Sequence, residues 1–203
     1  MLDRALQQRI ATVAAVLRRG GIVAYPTETF YGLGALATDR AAVARAAAAK
    51  GRPDGKPLPL LAADLGAVEA VALLGPLARR LAARLWPGPL TLVLPSRPGL
   101  PPEVDAGTGT VGIRVPGSEV ARALARSSGG AIVSTSANLS GEPPVSRAED
   151  LAPALRARLE AVLDAGPTPG GLPSTVVAVE GEAVRLVRPG AVPLENVLEA
   201  SRA

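Results

Sequence analysis

Aromatic side chains are almost absent from this chain, which limits how its core can be built. Of its 203 residues 48% are hydrophobic, yet only 2% are aromatic, namely Tyr25, Phe30, Tyr31 and Trp86. Ala, Leu and Val must therefore fill the core. Alanine-rich helical stretches alternate with short Val/Leu runs, and this pattern favours an α/β fold over an all-β sandwich.

Periodicity and turn residues place the individual elements along the chain. Helices are predicted at 3–19, 39–49, 118–126, 147–158 and 193–200, and over most of 64–86 with a break at Gly75-Pro76. Strands are predicted at 22–25, 58–62, 90–94, 110–115, 131–134, 159–163, 174–179 and 183–188. The order predicts a mixed, twisted sheet flanked by helices, in a single domain over residues 1–203.

The charged residues and the missing residue types exclude several classes of chemistry. The formal charge is +4 and the pI is near 10.3, so an anionic partner is allowed, but the arginines are scattered rather than clustered. The absence of Cys and His excludes disulfides, a thiol nucleophile, Ser-His-Asp hydrolysis and a His-based metal site. The N-terminus does not resemble a signal peptide, and no long uncharged apolar run occurs, so we expect a soluble cytoplasmic protein without a membrane partner.

Lysine occurs only in one short segment, Lys50-Gly51-Arg52-Pro53-Asp54-Gly55-Lys56. All other basic residues are arginine, so these two positions are candidates for a role that needs a compact ammonium group. Gly and Pro predict a loop, and three cations on one loop indicate an anionic ligand. A solvated basic turn is the alternative interpretation.

Two further segments place polar side chains at the ends of predicted strands. The first is 25–34, Tyr-Pro-Thr-Glu-Thr-Phe-Tyr-Gly-Leu-Gly, and the second is 131–141, in which an apolar strand leads into Ser134, Ser136 and Asn138. Ligands of open α/β sheets sit at strand ends, and hydroxyls with turn amides can hold phosphate or carboxylate oxygens. A local structural turn and a set of capping hydroxyls are the respective alternatives.

Two arginines lie in or at the end of predicted strands. Arg114 interrupts an apolar strand that begins near Thr110, and Arg188 ends a strand that runs beside the segment containing Ser174. A guanidinium in an apolar strand needs a carboxylate or phosphate partner. For Arg114, a salt bridge to a protein carboxylate is as consistent with the sequence as a ligand.

The inventory lacks a nucleophile with an adjacent base but is rich in hydroxyls, lysines and arginines. Such groups position a nucleotide and offset the charge that develops on its phosphates. Because neither GxxxxGK[ST] nor GxGxxG occurs, the nucleotide would be held in some other fold.

Ordered motifs over about residues 5–200 resemble the YrdC/Sua5 family, in its short single-domain form. They are Pro26-Thr27-Glu28-Thr29-Phe30-Tyr31-Gly32-Leu33-Gly34, Lys50-Gly51-Arg52-Pro53, Trp86-Pro87-Gly88-Pro89, Ser134-Thr135-Ser136-Ala137-Asn138-Leu139-Ser140-Gly141, Ser174-Thr175 and Arg188-Pro189-Gly190. The resemblance implies a YrdC-like α/β fold, with a twisted mixed (parallel and antiparallel) sheet flanked by helices around a deep basic cavity.

The resemblance also implies a reaction and its site. L-Threonine, bicarbonate and ATP, with Mg²⁺, would give threonylcarbamoyl-AMP and pyrophosphate, and downstream tRNA threonylcarbamoyl-transfer proteins would use the product for t6A at tRNA position 37. L-Threonine would contact Thr29, Arg114, Ser134 and Ser174, with Arg114 on the carboxylate. ATP would contact Lys50, Arg52, Lys56, Thr110, Ser136, Asn138 and Arg188, and Lys50 and Arg52 would be catalytic. No protein metal ligand is implied.

The chain departs from the family pattern at three positions. Leu61 stands where longer relatives have a histidine against the threonine, Lys56 where they have asparagine, and Pro144 where serine is frequent. Two other functions stay open at this point: a module that binds tRNA or double-stranded RNA, and a paralogue with altered carbamoyl-adenylate activity. Scarce aromatics argue against recognition of single strands by stacking.

Overall fold

The computed structural model describes residues 2–51 and 55–202 and alternates helices with short strands. The helices are α1 Arg4–Arg18, α2 Arg40–Lys50, α3 Leu65–Glu69, α4 Pro76–Leu85, α5 Pro102–Asp105, α6 Glu119–Ser128, α7 Pro153–Arg156 and α8 Leu194–Arg202, with a 3₁₀ turn at Ala148–Asp150. The strands are β1 Val23–Pro26, β2 Tyr31–Gly34, β3 Leu60–Leu61, β4 Leu90–Pro95, β5 Thr110–Arg114, β6 Ile132–Val133, β7 Thr135–Ser136, β8 Ala161–Val162, β9 Thr175–Glu180 and β10 Ala183–Arg188.

The strands form two mixed sheets. The smaller sheet has the order β7-β2-β1-β8, with β1 antiparallel to β2 and parallel to β8. The larger sheet has the order β10-β9-β4-β5-β3-β6, in which β4 is parallel to β9 and antiparallel to β5. Mixed parallel and antiparallel pairing with flanking helices confirms the fold class expected from the sequence, although the pairing is divided between two sheets.

Strand β2 was not predicted from the sequence, which indicated only that residues 25–34 carry polar side chains after the end of a strand. The hairpin β1–β2 pairs Tyr25 with Gly32, so only the four residues between the strands form the turn. Glycine is depleted in strands, and this obscured β2 in the sequence. Here the glycines make room for the ring of Tyr25: a Cβ built on Gly34 would lie 2.7 Å from its Cε1.

Two other segments differ from the prediction. Residues 147–158 hold the 3₁₀ turn and the short helix α7 rather than one helix, because Pro153 cannot continue a helix that begins before it. The Pro/Gly-rich connection between β4 and β5 contains the short helix α5. The remaining predicted strands and long helices are present with ends shifted by a few residues.

Helix α2 ends at Lys50, which is almost completely buried. It begins after Asp39, whose carboxylate accepts a hydrogen bond from the backbone N–H of Ala42, and it ends at Lys50 before Gly51 in the left-handed conformation. Its buried face is mainly alanine, so the helix packs closely against the main core. None of the helices within the described ranges is long and apolar enough to cross a membrane.

Candidate active site

One cavity of about 550 Å³ collects polar residues from both sheets and from the end of α2. Among the described residues that line it are three cations, several hydroxyls and no carboxylate. Eight of the predicted site residues lie on its wall: Thr29, Lys50, Thr110, Arg114, Ser134, Ser136, Ser174 and Arg188. A cavity of this size matches an ordinary small-molecule site.

Ser134 lies at the junction of the two sheets. The residues before it form β6 in the larger sheet, and the residues after it form β7 in the smaller sheet. Its backbone N–H donates to the carbonyl of Pro59 at 2.8 Å, which fixes the crossing. Beneath it, Tyr25 is fully buried and donates its hydroxyl to the carbonyl of Val133 at 3.1 Å. Burial raises the pKa of Tyr25 to about 12.

The ammonium group of Lys50 holds the segment that follows Ser134. Nζ lies 2.6 Å from the carbonyl oxygen of Ser136 and 3.1 Å from that of Asn138, and about as near to both side-chain oxygens. The residue is only 5% exposed. Since an ammonium group has three protons, these four oxygens compete for them, and a phosphate oxygen could replace one.

Other predicted ATP contacts lie away from the cavity wall. The carboxamide of Asn138 donates to the carbonyls of Leu139 and Glu142 while its oxygen faces Lys50, so it supports the loop from behind. Lys56 is exposed and is not among the lining residues. Arg52, predicted to be catalytic, lies outside the described residues.

Arg114 has a protein carboxylate beside it but no hydrogen bond to it. Its Nε lies 3.6 Å from Oε1 of Glu28, and both groups are nearly buried. Within the described ranges, neither Nε of Arg114 nor either carboxylate oxygen of Glu28 has a hydrogen-bond partner. The salt-bridge alternative for Arg114 is therefore realised only as a loose ion pair, and a ligand carboxylate could still bind the guanidinium at the cavity.

Ser174 and Arg188 are joined at the opposite wall. Nη2 of Arg188 donates to the carbonyl of Ser174 at 2.7 Å and lies 3.2 Å from its hydroxyl. The same hydroxyl lies 2.9 Å from that of Thr91, another lining residue. Burial, and secondarily the nearby Arg114, lower the pKa of Arg188. Gly190 lets the chain return here, because a Cβ would lie 2.3 Å from the carbonyl of Pro173.

Thr29 and Thr110 are each paired with a neighbouring threonine. The hydroxyl of Thr29 lies 3.1 Å from that of Thr27, and the hydroxyl of Thr110 lies 2.9 Å from that of Thr108. Leu61 does not line the cavity: it is fully buried in the second core cluster, whereas the preceding residue, Leu60, lies on the wall. At this position, where the resemblance implied a histidine in longer relatives, an apolar side chain therefore lies in the core.

Three residues at the site were not selected from the sequence: Glu28, Thr27 and Thr91. Glu28 and Thr27 stand inside the segment 25–34, and Thr91 follows the motif Trp86-Pro87-Gly88-Pro89. A glutamate between two threonines next to a strand end was a usable signal for Glu28. For Thr91 there was none, because its partner Ser174 is 83 positions away.

The described residues do not form a metal site of their own. They contain no group of three or more acidic, His or Cys side chains suited to one.

The chain is similar in sequence to known proteins over most of its length. A family model described as telomere recombination, Sua5_yciO_yrdC, matches residues 15–190. The threonylcarbamoyl-AMP synthase of Bacillus subtilis strain 168 is 45% identical over 193 residues, covering 93% of this chain and 55% of that protein. The synthase of Pyrococcus abyssi is 41% identical, with 96% and 58% covered. The chain thus spans little more than half the length of these relatives.

Solved structures give the same relationship. P. abyssi Sua5 complexed with L-threonine superposes with a TM-score of 0.90 at 40% identity, covering 96% of this chain and 57% of that one. Escherichia coli YciO superposes with a TM-score of 0.84 at 28% identity and covers 93% of this chain and 92% of its own. The chain is a member of the Sua5/YciO/YrdC family.

Proposed function

We propose that this chain is an L-threonylcarbamoyladenylate synthase, a nucleotidyltransferase that uses L-threonine, bicarbonate and ATP. The observation that carries the proposal is one cavity in which three cations and the predicted hydroxyls converge, with no carboxylate among the described residues that line it. The synthase names of relatives 45% and 41% identical support it, as does the L-threonine complex of the P. abyssi protein.

The cavity offers two neighbouring subsites. Arg114, with Thr29, Ser134 and Ser174 around it, would bind the amino acid, the guanidinium taking the carboxylate. ATP would be bound by Lys50, Ser136, Thr110 and Arg188, together with Arg52 and Lys56 of segment 50–56. Asn138 would hold the segment after Ser134 in place. Ser174 belongs to the first set and bonds to Arg188 of the second, so the two ligands would lie in contact.

The reaction would proceed in two steps. The neutral amine of threonine attacks bicarbonate carbon, a C–N bond forms, and water is lost to leave the carbamate. A carbamate oxygen then attacks the α-phosphorus of ATP, and the bond to the β-phosphate oxygen breaks with release of pyrophosphate. Lys50 and Arg188, with Arg52, would offset the charge on the phosphates. Positioning and electrostatics would supply most of the rate enhancement.

Mg²⁺ is proposed as the companion of ATP rather than as a resident of the protein. The described residues hold no suitable carboxylate group, so phosphate oxygens and water would be its ligands. Bound there, it would neutralise phosphate charge. Transfer of the product to downstream tRNA-modifying proteins, direct contact with tRNA or double-stranded RNA, and a cytoplasmic location stay predictions.

Pyrophosphate release from ATP, measured with and without L-threonine and bicarbonate, tests the proposal. We expect release only when both are present, and a product with the mass of threonylcarbamoyl-AMP. Threonine-independent or absent release would contradict it. Salt-sensitive binding of double-stranded RNA by a protein without turnover would favour the binding module instead.

A further inference from the structure

The hydroxyl pair on one wall of the cavity can accept hydrogen bonds from a ligand. Thr27 donates to the carbonyl of Phe30 at 2.7 Å, because a carbonyl oxygen can only accept. Its single proton is then used, so Thr29 is the donor in the 3.1 Å hydrogen bond between the two hydroxyls, where it competes with the backbone N–H groups of Thr29 and Phe30 for the Thr27 oxygen. In this arrangement Thr29 presents oxygen lone pairs to the cavity.

The hydroxyl pair on the other wall, Thr91 and Ser174, can donate a hydrogen bond to a ligand. Thr91 and Ser174 share one hydrogen bond at 2.9 Å, which uses one of their two protons. The guanidinium of Arg188 contacts Ser174 but can only donate. Within residues 2–51 and 55–202, neither hydroxyl has another acceptor, so one proton of the pair is left over. Since both residues line the cavity, that proton can be donated to a ligand that occupies it.

We infer that Thr91 is a further substrate-binding residue, and that the two hydroxyl pairs orient the amino acid by opposite hydrogen-bond polarity. The Thr27–Thr29 pair accepts from the substrate amine, and the Thr91–Ser174 pair donates to the oxygen of its side-chain hydroxyl. This inference rests on the proposed function, because it takes L-threonine as the ligand.

The assignment of substrate groups follows from charge and proton count. Arg114 is the cation available for the carboxylate, which leaves an amine and a hydroxyl to be matched. The amine carries only N–H groups toward an acceptor, so it suits Thr29. The hydroxyl oxygen can accept, so it suits the leftover proton of Thr91 and Ser174. A buried donor without its partner is unfavourable, and the site would thus disfavour an amino acid that lacks the hydroxyl.

Binding of L-threonine and of L-2-aminobutyrate, in which hydrogen replaces the hydroxyl, tests this inference by calorimetry without ATP. We expect wild type to bind threonine at least about tenfold more tightly. Ser174→Ala should keep part of this preference, because Thr91 then directs its own proton at the ligand while Arg188 retains the backbone carbonyl of Ser174. The double variant Thr91→Val/Ser174→Ala should bind both amino acids alike.

Thr29→Val supplies the complementary measurement. Loss of its acceptor should weaken binding of both amino acids by a similar factor and leave their ratio unchanged. Thr168→Val is the matched control, because Thr168 is also buried but lies off the wall and bonds to the carbonyl of Ser146. It should bind both ligands as wild type does.

Several results would overturn the inference. These are equal binding of the two amino acids by wild type, an unchanged preference in the double variant, a double variant no different from Ser174→Ala, or a preference altered by Thr29→Val. Each of them leaves the synthase proposal standing if pyrophosphate release still depends on threonine. Wild type that binds no threonine and releases no pyrophosphate with it would remove both proposals together.

Discussion

The side chains of Glu28 and Arg114 form a nearly buried ion pair whose closest atoms, Oε1 and Nε, are 3.6 Å apart. That separation is too long for a hydrogen bond, and neither carboxylate oxygen has another partner in the described part of the chain. The carboxylate compensates the charge of Arg114 from behind, while the guanidinium stays available to the cavity. Substitution of Glu28 should therefore have a different effect from substitution of Arg114.

Glu28→Gln should destabilise the protein and make its stability depend more strongly on bound threonine. The substitution keeps the shape but leaves the Arg114 charge uncompensated, and we expect unfolding in urea to need about 2–3 kcal/mol less free energy. A bound carboxylate would compensate that charge, so saturating threonine should raise Tm more in the variant than in wild type.

Glu149→Gln is the matched control for this experiment, because Glu149 pairs with Arg147 on the surface. Its stability should stay within about 0.5 kcal/mol of wild type. Equal stabilities of Glu28→Gln and wild type would show that Glu28 does not compensate Arg114.

Arg114→Ala should act mainly on threonine. Loss of a charge-assisted contact to the carboxylate predicts an increase of about 10- to 100-fold in the KM for threonine, with a small change in the KM for ATP. Steady-state pyrophosphate release with each substrate varied separately checks this. Arg147→Ala removes an exposed arginine and should change neither constant, and an unaltered threonine dependence in Arg114→Ala would refute the assigned role.

Lys50→Ala should abolish turnover and also weaken the fold locally. The ammonium group holds the carbonyls of Ser136 and Asn138, and their loss as partners predicts a decrease in unfolding free energy of about 1–3 kcal/mol. Circular dichroism with urea titration, alongside the pyrophosphate assay, separates the two effects. Lys56→Ala, at the exposed lysine of the same loop, should reduce turnover less and leave stability unchanged. Near-normal turnover in Lys50→Ala would remove that residue from the mechanism.

The raised pKa of Tyr25 predicts that the protein loses stability at alkaline pH. Its pKa is about 12 when folded against an ordinary value of 10.0. Below pH 10 both states are protonated; between pH 10 and 12 only the unfolded state loses the proton, so stability falls as pH rises. Between pH 9 and 11.5, wild type should lose about 2 kcal/mol more than Tyr25→Phe.

Urea unfolding at several pH values checks the prediction for Tyr25. At pH 7 the phenylalanine variant should already be less stable by about 1 kcal/mol, because it lacks the hydrogen bond to Val133. If the unfolding free energies of the two proteins changed with pH in parallel above pH 10, burial would not raise the pKa of Tyr25.

Local sequence patterns predicted most elements but missed those shaped by distant contacts. The Val/Leu runs that predict β4 and β9 and the capped alanine helix α2 are present in the structure. Strand β2 was missed because glycines are typical of loops. In this strand they make room for the ring of Tyr25 across the hairpin. Eight of the predicted site residues line one cavity, whereas Asn138 supports it from behind and Lys56 lies apart.

The sequence by itself determined which chemistry is open to this protein. The absence of Cys and His excludes thiol and imidazole chemistry, and hydroxyls, arginines and two lysines at strand and helix ends favour an anionic ligand. Tertiary structure decided the pairings: Glu28 with Arg114, Lys50 with Ser136, and Thr91 with Ser174 are each 83 to 86 positions apart. Spacing along a chain cannot specify such contacts, because they depend on how two sheets meet and on which side chains that junction buries.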